Sequence, residues 1–172
     1  MKFPDLSIHF KKSKHHPLEV YCDASYASSK DAHSTTGIII MVYGAPVYWA
    51  TKKQSTISLS SSEAEIKAAV EAVKQMLWIK KIFQQIFNKL SISPVLFVDN
   101  IPAINIMKNN EISNAKMRHT NINLSFLKEM RNNFKYVETS EQLADGLTKS
   151  VSTDKLHRLF GYDDVKETEG EM

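Results

Sequence analysis

Apolar Leu18, Val20 and Cys22 alternate with Glu19, Tyr21 and Asp23, a period of two that predicts a strand. Ser28 to Asp31 supply turn residues. A second β-rich run covers Thr35 to Tyr43, and Gly44, Ala45 and Pro46 read as a hairpin connection into a third strand from Val47 to Thr51. The period then changes. Ser60 to Lys89 contains neither Gly nor Pro, its apolar residues fall at helical spacing, and three serines at its start are good N-cap residues. Val95 to Val98 is wholly apolar and too short for a helix, so it reads as a buried strand. Pro102 suits the first turn of a helix from Ile101 to Lys108. A further helix is expected over Met117 to Asn132, a last strand over Phe134 to Val137, and a short helix capped by Thr139 or Ser140 and running through Lys149. Thr153 to Phe160 adds a final turn or two. The order β-β-β-α-β-α-α-β-α implies an α/β domain, a mixed sheet flanked by helices, and argues against a bundle or a sandwich.

Composition bounds this picture without changing it. The 172 residues suffice for one domain with a real core, and the apolar fraction of 42% and charged fraction of 24% are ordinary globular values. The domain is expected at residues 18–160. A basic lead-in at 1–17 carries Lys2, Lys11, Lys12 and Lys14, and an acidic tail at 161–172, expected to be disordered, carries Asp163, Asp164, Glu167, Glu169 and Glu171. The net charge of +3 is too mild to argue for nucleic acid by itself. Cys22 is the sole cysteine, excluding an intrachain disulfide and fitting a reducing compartment; inside a strand it reads as a small core filler. No apolar run approaches a membrane span and the first residues lack a signal-peptide core. The expected location is therefore intracellular, cytoplasmic or nuclear, not secreted.

The chemistry lies in four acidic residues, each at the edge of an expected element: Asp23, Glu65, Asp99 and Asp145. Carboxylates drawn together from remote parts of a chain repel one another unless cations hold them. Such a set suggests a divalent-metal site for phosphoryl chemistry. Glu63 competes with Glu65, and helix geometry separates them. From Glu65 the positions three, four, seven, eleven and fourteen residues on are Ala68, Ala69, Ala72, Met76 and Ile79, a buried stripe. Glu63 faces Lys67, Val70 and Lys74, a solvent-side set, and stands three residues after Ser60, the spacing of a capping box, although Ser62 and Glu65 share that spacing. Asp99 closes the strand Val95 to Val98, where ligands of α/β sheets gather, although it or Asn100 could instead cap the next helix. Asp145, between Leu143 and Leu147, takes its weight from the set.

The series Tyr21-Cys-Asp-Ala-Ser25, Ser34-Thr-Thr-Gly37, Trp49-Ala-Thr-Lys-Lys-Gln-Ser55 and Leu59-Ser-Ser-Ser-Glu-Ala-Glu65 resembles the ribonuclease H domain of Ty/copia-type retrotransposon Pol polyproteins. Leu77-Trp78, Val98-Asp-Asn100, Lys116-Met-Arg-His119 and Gln142-Leu-Ala-Asp-Gly-Leu-Thr-Lys149 continue it in collinear order, from about Leu18 to Phe160. The resemblance implies a ribonuclease H-like fold, a five-stranded mixed sheet with three antiparallel and two parallel strands. It also implies a metal-dependent endonuclease that hydrolyses the RNA strand of RNA–DNA hybrids. Asp23, Glu65, Asp99 and Asp145 match the family's four metal-binding, catalytic carboxylates, holding two Mg²⁺ ions for which Mn²⁺ can substitute. Asp145, on a short late helix, is expected to be the most mobile ligand. Lys52, Lys53 and Gln54 are candidates for nucleic-acid backbone contacts, and a reverse transcriptase polymerase domain is a candidate partner. One departure stands out: Val137 to Leu143 contains no histidine, where cellular relatives carry one on a loop before the last aspartate. His119 reads as structural, and adjacent His15 and His16 are poorly placed to chelate. The alternative function is a catalytically silent hybrid- or partner-binding domain left from a degenerate element. These 172 residues contain no polymerase aspartate motif and no protease or integrase segment, which favours such an origin, whereas intact carboxylates argue against long neutral decay. A strand-transfer nuclease of the same superfamily fits the Gly37 hairpin and the late carboxylate less well.

Overall fold

The computed structural model describes residues 16–86, 93–109 and 118–151, with the backbone alone for 118–120. The lead-in up to His15, the continuation of the long helix to Lys89, the turn at Thr153 to Phe160 and the acidic tail lie outside the described residues. So does the side chain of His119.

Five strands form one sheet in the order β3-β2-β1-β4-β5: β1 Leu18–Ser25, β2 Thr35–Val42, β3 Ala45–Lys53, β4 Pro94–Val98 and β5 Phe134–Tyr136. The first three pair antiparallel, and β4 and β5 add to β1 in parallel. Parallel neighbours need a crossover, and the helices between them supply it. They are α1 Ser61–Ile86, α2 Ile101–Asn109 and α3 Arg118–Leu127, the last running into a 3₁₀ turn over Lys128–Asn133. The helix expected to reach Asn132 thus tightens in its final residues. A short helix α4, Asp145–Thr148, is the last described element.

The core lies between the sheet and α1. Leu18, Val20, Cys22 and Ala24 on β1 pack with Ile38, Ile40 and Val42 on β2, Leu96 and Val98 on β4, and Phe134 on β5. Ala68, Ala69 and Ala72 of α1 are completely buried, and their small side chains let the helix axis come close to the sheet. Ser60 caps α1. Its Oγ accepts the Glu63 N–H at 3.2 Å, while Glu63 Oε2 accepts the Leu59 N–H at 2.8 Å. Glu63 is therefore a capping residue, but not a solvent-facing one, because its own cap and an ion pair to Lys67 at 3.0 Å cover it.

The β2–β3 connection differs from the expected Gly44–Ala45–Pro46. Tyr43 (φ 49°) and Gly44 (φ 80°) make a two-residue turn, and Val42 pairs directly with Ala45. Positive φ at both central residues matches the right-handed twist of the flanking strands. Pro46 then lies inside β3, beside a register shift at Ile40/Met41. An edge strand tolerates it because no ladder hydrogen bond is needed from that nitrogen.

Candidate metal centre

Parallel pairing aligns Tyr21 of β1 with Phe97 of β4, so Asp23 and Asp99, each two residues further on, emerge side by side at the carboxyl ends of adjacent strands. Asp145 arrives from the far end of the sequence as the first residue of α4. One carboxylate oxygen from each of the three lies within 4.8 Å of the other two. Asp23 and Asp145 are buried, and Asp99 is half-buried. Asn100, not Asp99, caps α2, since its Oδ1 accepts the Ala103 N–H at 2.8 Å. Asp99 is thereby released from capping, and its Oδ2 accepts a hydrogen bond from the Thr139 hydroxyl at 3.0 Å.

Glu65 stands outside that three-oxygen cluster but is coupled to it. It is 4% exposed on the first turns of α1, where Oε1 accepts the Ala24 N–H at 3.2 Å; Oε2 is buried and has no hydrogen-bond partner among the described residues. Burial, reinforced by the charges of Asp23 and Asp99, pushes its carboxyl up to about 9. Asp23 is also raised, chiefly by burial, against the opposing pull of the Thr148 hydroxyl and the Lys149 ammonium. Burial thus makes the carboxyls of both Glu65 and Asp23 resist ionisation, Glu65 the more strongly.

The placement of α4 decides whether Asp145 belongs to the cluster. Gly37 is the register partner of Asp23, and a Cβ there would meet Thr148 Cγ2 at 2.7 Å and the Ala144 carbonyl oxygen at 2.8 Å. Only hydrogen fits under the helix. Thr51 Oγ1 donates to the Leu147 carbonyl at 3.0 Å, and the Thr148 hydroxyl donates to Asp23 Oδ2. Gln142 is completely buried: its amide nitrogen donates to the carbonyls of Cys22 at 3.1 Å and Phe97 at 3.5 Å, and its Oε1 accepts the Ala144 N–H at 3.2 Å. One amide thus ties β1, β4 and the approach to α4 together, beside all three clustered aspartates. The expected cap at Thr139 or Ser140 is not formed. Helix α4 begins only at Asp145, position Ala144 offers no side-chain cap, and the Thr139 hydroxyl is turned to Asp99.

No protein-family model matches the chain. It is similar to the retrovirus-related Pol polyproteins from transposons RE1 and RE2 of Arabidopsis thaliana, 32% and 31% identical over 154 residues. That match covers 87% of this chain and 10% of each polyprotein, so the chain spans about a tenth of the curated relatives' length. The Pol polyprotein from transposon TNT 1-94 of Nicotiana tabacum is 32% identical over 143 residues. Among solved structures, LC11-RNase H1 in complex with an RNA/DNA hybrid superposes with a TM-score of 0.55 at 12% identity, covering 76% of this chain and 92% of that one. The N-terminal RNase H domain of a Mycobacterium tuberculosis protein gives 0.56 at 8%, covering 76% and 89%. The chain is thus homologous to a segment of Ty/copia-type Pol polyproteins and has the fold of the solved ribonuclease H domains.

On this ribonuclease H fold the candidate contacts at the end of β3 fare unequally. Lys52 and Lys53 are exposed and paired at the surface, Lys52 with Glu71 at 3.3 Å and Lys53 with Asp31 at 2.5 Å. Gln54 is placed differently. It is buried, its amide nitrogen donates to Thr36 Oγ1 and the Ala64 carbonyl, and its Oε1 accepts the Ser58 hydroxyl. Its side chain anchors the loop before α1, and the residue also borders the cleft that the two lysines line. Both lysines line a cleft of about 210 Å³ with Lys67 and Lys74, and none of the four carboxylates borders it. Gln142, Thr148 and Lys149 were passed over as site residues by the pattern of elements. The available signal was their position: a glutamine next to an apolar pair before Asp145, and a cation one helical turn after it.

Proposed function

We propose that this chain is a divalent-metal-dependent endonuclease domain that hydrolyses the RNA strand of RNA–DNA hybrids. The observation that carries the proposal is the convergence of Asp23, Asp99 and Asp145 from three separate elements, with the buried Oε2 of Glu65, unpartnered among the described residues, beside them. A buried carboxylate oxygen without a donor is costly unless something positive completes it. The donor set is all oxygen, which fits Mg²⁺ or Mn²⁺. Asp23, Glu65, Asp99 and Asp145 would hold the ions. Bound there, divalent cations supply positive charge that polarises a phosphoryl oxygen and acidifies water.

The chain's own residues do the positioning. Asp23 and Asp99 are fixed by paired strands, Glu65 is aimed by the Ala24 N–H, and Asp145 is fixed by a helix seated on Gly37. Lys52 and Lys53, exposed at the end of β3, are suited to phosphates of the duplex, whose two strands differ at the 2′-hydroxyl. The hybrid bound to the structurally similar LC11-RNase H1 supports the substrate class. The polyprotein context of the relatives makes a reverse transcriptase polymerase domain the proposed partner. No helix among the described residues is long and apolar enough to cross a membrane.

The test is a hybrid with labelled RNA, incubated with the purified chain in Mg²⁺ or Mn²⁺ and in EDTA. Cleavage of the RNA strand that EDTA abolishes is the expected result. Hybrid binding without cleavage in either metal would replace this function with that of a silent binding module.

A further inference from the structure

One cation is already inside the acidic cluster. Lys149 Nζ lies 2.8 Å from Asp145 Oδ1 and 3.5 Å from Asp23 Oδ1. It reaches them from one helical turn beyond Asp145, the favourable spacing for an acid N-terminal to a base. Thr148, its neighbour, donates to the other oxygen of Asp23. Both oxygens of Asp23 are therefore engaged by consecutive residues at the end of α4. The Lys149 side chain is 44% exposed, against 1% and 4% for its partners Asp23 and Asp145, so it can swing into water without unpacking the core.

From this geometry we infer that Lys149 is a built-in competitor of the metal: an ammonium that neutralises Asp23 and Asp145 in the metal-free protein and must leave those oxygens for the divalent ions to load. The inference rests on the function proposed above. A lysine hydrogen bond and a metal–carboxylate bond draw on the same limited set of lone pairs, two on each carboxylate oxygen. An ammonium left within hydrogen-bond distance of oxygens that also hold a divalent ion would face that ion's full charge at close range. The two occupants therefore compete for those oxygens. Metal affinity is then set partly by what Lys149 gives up, and by linkage the metal loosens Lys149 as much as Lys149 weakens the metal. The ion pairs also hold α4 against β1 while the site is empty of ions. The carboxylates are thereby kept gathered instead of splayed by mutual repulsion, so the site is preassembled at the expense of affinity.

The experiment is Mn²⁺ binding to the full chain by calorimetry, with thermal melts in EDTA. Lys149→Met keeps the length of the side chain and removes its charge. It is expected to bind Mn²⁺ on the order of tenfold more tightly than wild type, a coupling of the usual size between linked sites, and to melt lower than wild type in EDTA. Lys149→Arg, which restores a cation, is expected to return affinity toward wild type. Unchanged or weaker Mn²⁺ binding in a folded Lys149→Met would overturn the inference, making Lys149 a residue that merely orients the carboxylates. If Lys149→Met fails to fold, Lys149→Gln provides the same comparison. Failure of the underlying function looks different: wild type and Asp145→Asn would bind Mn²⁺ equally poorly.

Discussion

Glu65 combines deep burial, one oxygen held by a backbone N–H and one oxygen that no described residue holds. A core selected for stability alone would place glutamine or an apolar residue there. In the metal-free protein its carboxyl sits at about 9 against an ordinary 4.5, so the folded state keeps a proton that the unfolded chain releases. That contribution to stability is complete below the ordinary value and is lost as pH rises through the folded one. Glu65→Gln should therefore stabilise the metal-free protein at neutral and alkaline pH, by on the order of 2 kcal/mol or about 4–8 °C in Tm for a chain of this size. Melts in EDTA should show a small gain near about pH 5 and a larger one near about pH 8; an equal gain at both would detach the effect from the Glu65 proton. The choice of Glu65 over Glu63 was legible because helical phase is local: the alanines one and two turns on lie on the same stripe. The burial of Glu63 was not, because it follows from how a cap folds back over its own side chain.

Helix α4 shows what an element pattern misses. A polar stretch after β5 reads as one helix from Thr139, yet four residues of helix form and the approach to them is a turn built around the buried amide of Gln142. Its partners, the carbonyls of Cys22 and Phe97, belong to strands far away in sequence, and no local periodicity encodes them. Gly37 is the same kind of residue. In sequence it interrupts a β-branched run, and only the seating of α4 explains why a side chain cannot stand there. Gly37→Ala places a Cβ against backbone, so the helix must shift. The expected cost is about 1–3 kcal/mol of stability, together with weakened Mn²⁺ affinity because Asp145 moves with the helix. A variant with wild-type Mn²⁺ affinity would separate Gly37 from the site. The long α1, by contrast, was readable along its described length, since its caps and its stripe are both local signals.

At the scale of the whole molecule, the order of elements was enough for a mixed sheet, because antiparallel hairpins and parallel crossovers place different demands on connection length. What the order could not supply was the meeting of Asp23, Asp99 and Asp145, which depends on the register of β1 with β4 and on α4 crossing back over β2. Resemblance to a family of known motif order filled that gap, and the geometry now gives it a physical form: two strand ends side by side, a helix seated on glycine, and an amide that ties them. The lysines of β3 lie apart from this cluster, on a surface whose ion pairs leave duplex contact as a proposal. The most direct discriminator is the cleavage of a labelled RNA–DNA hybrid in Mg²⁺ by wild type and by Asp99→Asn. Asp99 is half-buried and Asn100 does the capping, so the substitution should leave the fold and its melting nearly unchanged. A fall in cleavage rate on the order of a thousandfold is expected from loss of a metal-holding carboxylate. Cleavage by a folded Asp99→Asn at the wild-type rate would contradict a catalytic metal centre at these carboxylates.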